Sequence, residues 1–211
     1  MSQSRIIIVD YGVGNLYSVK NALEKVGGDV LITDDPALIS SASRIILPGV
    51  GAFESGMKKL AHKGLDESIL VAAQKEIPIM GICLGMQMLL DQSSEFGLTN
   101  GLGLIKGDVI PIPCKEGVKI PHIGWSPLRK GLKYSDWSDT VLEGIPDSNH
   151  VYFVHSFMAE PMDNDVIIAF SEYGGLKIPA LIGFKNIVGC QFHPEKSGEI
   201  GLKILKNFLV M

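Results

Sequence analysis

Through the first half of the chain, short β-branched and aliphatic runs alternate with longer amphipathic stretches. Ile6-Ile7-Ile8-Val9 is apolar at every position, as a strand buried on both faces requires. Leu16, Val19, Leu23 and Val26 then recur at spacings of three and four, which places them on one face of a helix. Val30 to Thr33 and Arg44 to Leu47 predict further strands, with a short segment around Pro36 to Ser43 between them. Helices are predicted over Ala52 to Ala61 and Leu65 to Lys75, and a strand over Ile77 to Ile82 runs up to Cys83. Buried strands joined by helices imply a parallel sheet with right-handed crossovers. Ligands bind such sheets beyond the carboxyl ends of the strands, and Cys83 lies at one of those ends.

The pattern changes from Leu104 to about Phe170, where prolines, glycines and short β-prone runs replace helical periodicity. This predicts a mixed or antiparallel extension of the sheet. Ile187 to Phe192 reads as a last strand, and Ile204, Leu205, Phe208 and Leu209 mark the apolar face of a closing helix. With 211 residues, 46% of them hydrophobic, one core and one domain over 1–211 suffice. The expected class is α/β: a mostly parallel central sheet with helices on both faces and a smaller antiparallel or mixed extension.

Charge and cysteine usage narrow the function classes. A net charge of −4 gives no general attraction to nucleic acid or anionic membrane, and Lys58-Lys59 and Lys203 to Lys206 read as solvated helix faces. Met1 to Arg5 leads into an apolar run too short for a signal peptide, and Ile77 to Met86 falls well short of a membrane span. Cys83, Cys114 and Cys190 are odd in number and show no C-x-x-C spacing, so reduced thiols in a soluble, cytoplasmic protein are expected. No His, Cys and Asp spacing suits a metal, and no cofactor is expected. Pro48 to Phe53 lacks the Gly-Lys-Ser/Thr ending of a phosphate loop, and Asp10 to Asn15 lacks the third glycine of a dinucleotide fingerprint.

Three segments carry chemistry. In Gly81-Ile82-Cys83-Leu84-Gly85-Met86-Gln87 an apolar strand ends at a cysteine where a helix begins. Such an elbow exposes the side chain beside free helix N–H groups, which favour a thiolate. The Leu84 N–H is placed to meet a developing oxyanion, and Gly85 permits close approach of helix to sheet. In Gln191-Phe192-His193-Pro194-Glu195, His193 and Glu195 alternate along an extended backbone and project to one side, so that the carboxylate fixes the imidazole. An isolated pair of this kind would be a strand-end histidine beside a surface glutamate; the cysteine elbow in the same chain changes that balance. The glycine-rich turn Pro48 to Gly51 offers a second oxyanion donor. Packing suffices for Cys114 and Cys190. His62, late on a predicted surface helix, and His150, in a predicted loop, suggest no partner. His122 and His155, among aromatics on short strands, belong either to a half-buried core or to a binding edge.

Together these segments resemble the class I glutamine amidotransferases, whose shared motifs are Gly81 to Gln87 and Gln191 to Ser197. Tyr11 to Leu16, Pro48 to Phe53, Pro121 to Trp125 and Tyr152 to Phe157 extend the likeness along nearly the whole chain toward the glutaminase subunits of imidazole glycerol phosphate synthases. The resemblance implies Cys83 as nucleophile, His193 as general base and acid, and Glu195 as its orienter. It implies an oxyanion hole from the backbone of Val50, Gly51 and Leu84, and glutamine held by Gly51, Gln87, Glu95 and the backbone at Ser156 and Phe157. It further implies a heterodimer with a (β/α)₈-barrel cyclase that receives the ammonia for histidine biosynthesis, with His122, Trp125, Tyr152 and Phe153 as candidate interface residues. Ser126 departs from the asparagine usual after Gly124-Trp125, and its hydroxyl lacks the amide's paired donor and acceptor at that edge. Three alternatives stay open: an amidotransferase supplying ammonia for amidino-sugar synthesis, a non-catalytic regulatory subunit, and a stand-alone cysteine hydrolase.

Overall fold

The computed structural model describes residues 5–114 and 116–211; Met1 to Ser4, part of the polar lead into the first strand, lie outside the described residues, as does Lys115. The chain runs β1 (Ile6–Val9), α1 (Leu16–Lys25), β2 (Val30–Thr33), α2 (Pro36–Ile39), β3 (Arg44–Gly49), α3 (Phe53–His62), α4 (Leu65–Gln74), β4 (Ile79–Cys83) and α5 (Leu84–Met88). The middle holds β5 (Gln92–Ser93), β6 (Thr99–Asn100), β7 (Gly107–Pro111), β8 (His122–Pro127), β9 (Arg129–Lys130), β10 (His150–His155) and β11 (Phe157–Pro161). β12 (Ile167–Tyr173), β13 (Leu176–Phe184), β14 (Ile187–Cys190) and α6 (Gly198–Val210) complete the chain.

An eight-stranded sheet in the order β2-β1-β3-β4-β14-β13-β12-β9 forms the centre. It is parallel from β2 to β14 and antiparallel beyond. Period-two alternation divides the core between its faces. Ile6, Ile8 and Ile46 pack with residues of α1 and α6, while Ile7, Val9, Ile45 and Leu47 pack with residues of α3 and α4. Helices therefore cover both faces, as the continuous apolar strands require. Asp35 caps α2 by accepting from the Ala37 N–H at 2.9 Å, so the segment around Pro36 contains a short helix. Among the described residues no helix is long and apolar enough to cross a membrane.

The central sheet carries the expected antiparallel extension in β13, β12 and β9, while the rest of the middle forms structure of its own. Only β9, β12 and β13 join the central sheet; β11-β7-β5-β6 form a separate four-stranded sheet, and β8 pairs with β10 as a two-stranded ribbon. His150 opens a strand rather than lying in a loop. In the ribbon, His155 stands opposite His122 and Tyr152 opposite Trp125, and alternation decides which side chains face inward. His122, Ser126, Phe153 and His155 are buried, whereas Trp125 is 55% exposed and Tyr152 half-buried. His122 and Phe153 are thus corrected as interface candidates, because they lie on the inner parity of their strands. Ser126 also turns inward, so its hydroxyl is absent from the edge where the sequence placed it.

These inner polar groups form a closed chain. The Phe157 carbonyl can only accept, so His155 Nδ1 donates to it at 2.8 Å. His155 Nε2 must then accept from His122 Nδ1 at 3.1 Å, and His122 Nε2 accepts from the Ser126 hydroxyl at 2.9 Å. Both rings are neutral in this arrangement. Burial pushes both histidines down to about 4, with neighbouring His122 and His193 adding to the effect at His155. An unfolded chain takes up these protons near 6.5 and the folded chain only near 4, so stability falls as pH drops through that window. We expect the His122 and His155 imidazole signals in a nuclear magnetic resonance titration to move only near pH 4, with the melting temperature already falling as pH drops from about 6.5 to about 4. Titration of both rings near 6.5 would contradict the buried neutral chain.

Candidate active site

Cys83 ends β4 as α5 begins, with φ 54° and ψ −109°. A residue with a side chain is strained there, at a cost on the order of 1–3 kcal/mol. Its neighbours hold the kink from both sides: Gly49 of β3 pairs with Cys83, and Cys190 of β14 pairs with Ile82. Gly85 lets α5 lie on the sheet, since a Cβ there would fall 1.7 Å from the Leu47 carbonyl oxygen. α5 covers only five residues, which weakens the expectation that a helix end favours the thiolate, because the aligned dipole of so short a helix is small.

Cys83 is 7% exposed and borders a cavity of about 440 Å³. Val50, Gly51, Leu84, Gln87, Glu95 and Phe96 line one part of it, and Val154, His155, Ser156 and Phe157 another. The sulfur has two polar neighbours besides His193: a thiol donates to the Val154 carbonyl at 3.9 Å, and Gln191 Nε2 donates to the sulfur at 3.8 Å.

His193 and Glu195 meet as the sequence leads one to expect, but by a different geometry. The strand ends at Cys190, and Pro194–Lys196 form a 3₁₀ turn, so the pair closes across a turn rather than along an extended backbone. His193 Nδ1 lies 2.8 Å from Glu195 Oε1, with side chains 4% and 3% exposed. The His193 backbone is tied to the ribbon: its N–H donates to the Tyr152 carbonyl at 2.9 Å, and its carbonyl accepts from Ser197 Oγ at 2.6 Å. Burial opposes charge on the ring, but Cys83 on one side and Glu195 on the other outweigh it and push the imidazole up to about 9. Nε2 makes no hydrogen bond within ordinary limits, yet a thiolate at Cys83 is close enough to favour the imidazolium.

The remaining parts line that cavity or brace the residues that do. Tyr11, buried beneath the Pro48 to Gly51 turn, donates to the Pro48 carbonyl at 2.8 Å, and burial, then the neighbouring Cys83, keep its phenol protonated. Gly51 takes φ 100°, a conformation that favours glycine. α3 has no cap from its own N-cap residue Ala52. Glu95 replaces it, accepting from the Phe53 N–H at 2.7 Å, so the carboxylate that borders the cavity also anchors the glycine turn. Gln87 donates to the Phe157 carbonyl and to Gln191 Oε1, each at 3.0 Å.

Of the other candidates, Cys190 is fully buried and donates to the Gly81 carbonyl at 3.6 Å. Burial pushes its thiol well up, with the charges of Glu195 and Cys83 adding to the shift. Cys114 is exposed. His62 lies exposed at the end of α3, and Trp125 and Tyr152 meet edge to face on the outer side of the ribbon at 6.1 Å. Gln191, Tyr11 and Phe96 have site positions that sequence reasoning did not assign. Gln191 carries a readable signal, since it stands two residues before His193.

Comparison with known proteins gives the family. A subunit named imidazole glycerol phosphate synthase subunit HisH 1, from Legionella pneumophila (strain Lens), is 49% identical over 211 residues, covering 98% of this chain and 99% of its own. The HisH subunit of Lactococcus lactis subsp. lactis (strain IL1403) is 47% identical over 205 residues, covering 97% and 98%. The solved PurLQS structure from Thermotoga maritima shares the fold at a TM-score of 0.73 and 24% identity, covering 99% of this chain and 98% of that one. The glutamine amidotransferase class-I family model matches residues 7–211. With that match covering nearly all of the chain, the protein belongs to the class I glutamine amidotransferases.

Proposed function

We propose that this chain is the glutaminase subunit of an imidazole glycerol phosphate synthase, acting in the cytoplasm as a single amidotransferase domain over residues 1–211. It hydrolyses L-glutamine and delivers the ammonia to a (β/α)₈-barrel cyclase subunit, which makes imidazole glycerol phosphate and aminoimidazole carboxamide ribonucleotide for histidine biosynthesis. The observation that carries the chemistry is the buried His193 beside Cys83, with its Nδ1 2.8 Å from Glu195 Oε1. Names of relatives at 49% and 47% identity over almost the full length support the choice of synthase. The Ser126 hydroxyl is spent on His122, so this departure from the family pattern leaves the outer aromatic face unchanged. Trp125 and Tyr152 on that face are the interface residues we propose.

In this mechanism the Cys83 thiolate attacks the side-chain carbonyl carbon of glutamine, while N–H groups at Val50, Gly51 and Leu84 receive the developing oxyanion. Gly51, Gln87, Glu95 and the backbone at Ser156 and Phe157 hold the substrate. As the tetrahedral adduct collapses, His193 gives its proton to the leaving nitrogen and ammonia departs, leaving a γ-glutamyl thioester. Neutral His193 then takes a proton from water, the hydroxide attacks the thioester, and glutamate leaves as Cys83 returns to thiolate. Glu195 orients the ring and stabilises its charge throughout.

Cys83→Ala in the reconstituted complex is expected to abolish glutamine-dependent turnover while sparing turnover on added ammonium salt. Loss of both activities, or of neither, would overturn the assignment. The pH profile tests His193: its proton is needed by the leaving nitrogen and is lost from the free protein as pH rises through about 9, so kcat/KM for glutamine is expected to fall there. Removing the carboxylate's support in Glu195→Gln should move that descending limb to lower pH. An unmoved limb would show that Glu195 does not set the charge of His193.

A further inference from the structure

Gln191 is fully buried beside Cys83, and hydrogen-bond direction fixes the sense of its amide. The Phe157 carbonyl can only accept, and it takes the Nδ1–H of His155 at 2.8 Å and the Nε2–H of Gln87 at 3.0 Å. Reversing the Gln87 amide would set two oxygens against each other. Its second N–H therefore goes to Gln191 Oε1 at 3.0 Å, which occupies the oxygen of Gln191 and leaves its amino group facing Cys83 Sγ at 3.8 Å. The Val154 carbonyl, on the same sulfur at 3.9 Å, can only accept and so favours a thiol. Gln191 opposes it, because an N–H donated to sulfur is worth more to the anion than to the neutral group.

We propose that Gln191 is a positioning residue that holds Cys83 as a thiolate, through an N–H donated to Sγ and oriented by Gln87. The proposal rests on the reading of Cys83 as the nucleophile, but it concerns the state of the sulfur before any substrate binds. A neutral carboxamide suits this role because it gives the donor without a second cation beside His193, whereas a carboxylate of the same shape would repel the anion.

The test is the pH dependence of Cys83 alkylation by iodoacetamide in the full-length chain, read on the Cys83 peptide so that exposed Cys114 does not interfere. Gln191→Met keeps a similar volume without the donor, and Gln191→Glu keeps the shape with an ionised acceptor. Relative to the unaltered chain, alkylation at neutral pH should slow about tenfold in Gln191→Met, and more in Gln191→Glu, with both curves displaced to higher pH. A curve that coincides with the unaltered chain in either folded variant overturns the proposal. If neither variant folds, ultraviolet thiolate absorbance of the unaltered chain, measured against Cys83→Ser, decides: its absence at neutral pH overturns the proposal. Alkylation needs no glutamine, so an inactive glutaminase assay would refute the functional reading without touching this result.

Discussion

The site depends on one backbone conformation, the positive φ of Cys83 at the junction of β4 and α5. Nothing local favours it, so it persists because neighbouring strands on both sides and the contact of Gly85 with β3 leave the chain no other course. The sheet thus supplies the stability that the kink costs. In return the sulfur is turned from the strand into the cavity, where the glycine turn, the ribbon and the turn after β14 converge. Moving any one of these three by an ångström would leave the thiol with a different set of neighbours.

Charge is then confined to a small buried group. His193 and Glu195 are almost fully enclosed, and the second carboxylate oxygen of Glu195 has no hydrogen-bond partner among the described residues. A buried carboxylate in that state is stabilised mainly by a cation beside it, and breaking such a pair is costly. The surrounding polar groups are neutral and consume one another's donors: Ser126, His122, His155, Phe157, Gln87 and Gln191 form a continuous chain that ends at the sulfur. Satisfied networks of this kind are rigid. Rigidity suits the roles proposed for Cys83 and His193, which require a fixed spacing between the two side chains.

Much of this is legible in the sequence where side chains repeat with a clear period. β1, α1 and β4 are read correctly because their apolar positions fall at every residue or at three and four, and the Cys83 elbow follows from the strand that feeds it. The middle of the chain is harder because β5, β6 and β9 have two residues each, too few to show a period. Sidedness fails there for the same reason. A one-residue shift in register reverses the faces of a strand, so His122 and Phe153 are named as interface candidates beside Trp125 and Tyr152, although the first two face the core and the other two the outside. The link between His193 and Glu195 is legible as a pair but not as a turn, since Pro194 is compatible with either conformation. Gln191 is passed over because its importance lies in hydrogen-bond direction, which depends on Gln87, 104 residues away, and on the Phe157 carbonyl that orients Gln87 from 70 residues along the chain.

The central claim, that Cys83 is the group to which the glutamyl moiety is transferred, is tested most directly by trapping the intermediate. Rapid acid quenching of the working complex with glutamine, followed by peptide mass spectrometry, should find a glutamyl group on the peptide carrying Cys83 and none on those carrying Cys114 or Cys190. Sustained glutamine turnover with no glutamyl group on Cys83 at any quench time would contradict the account.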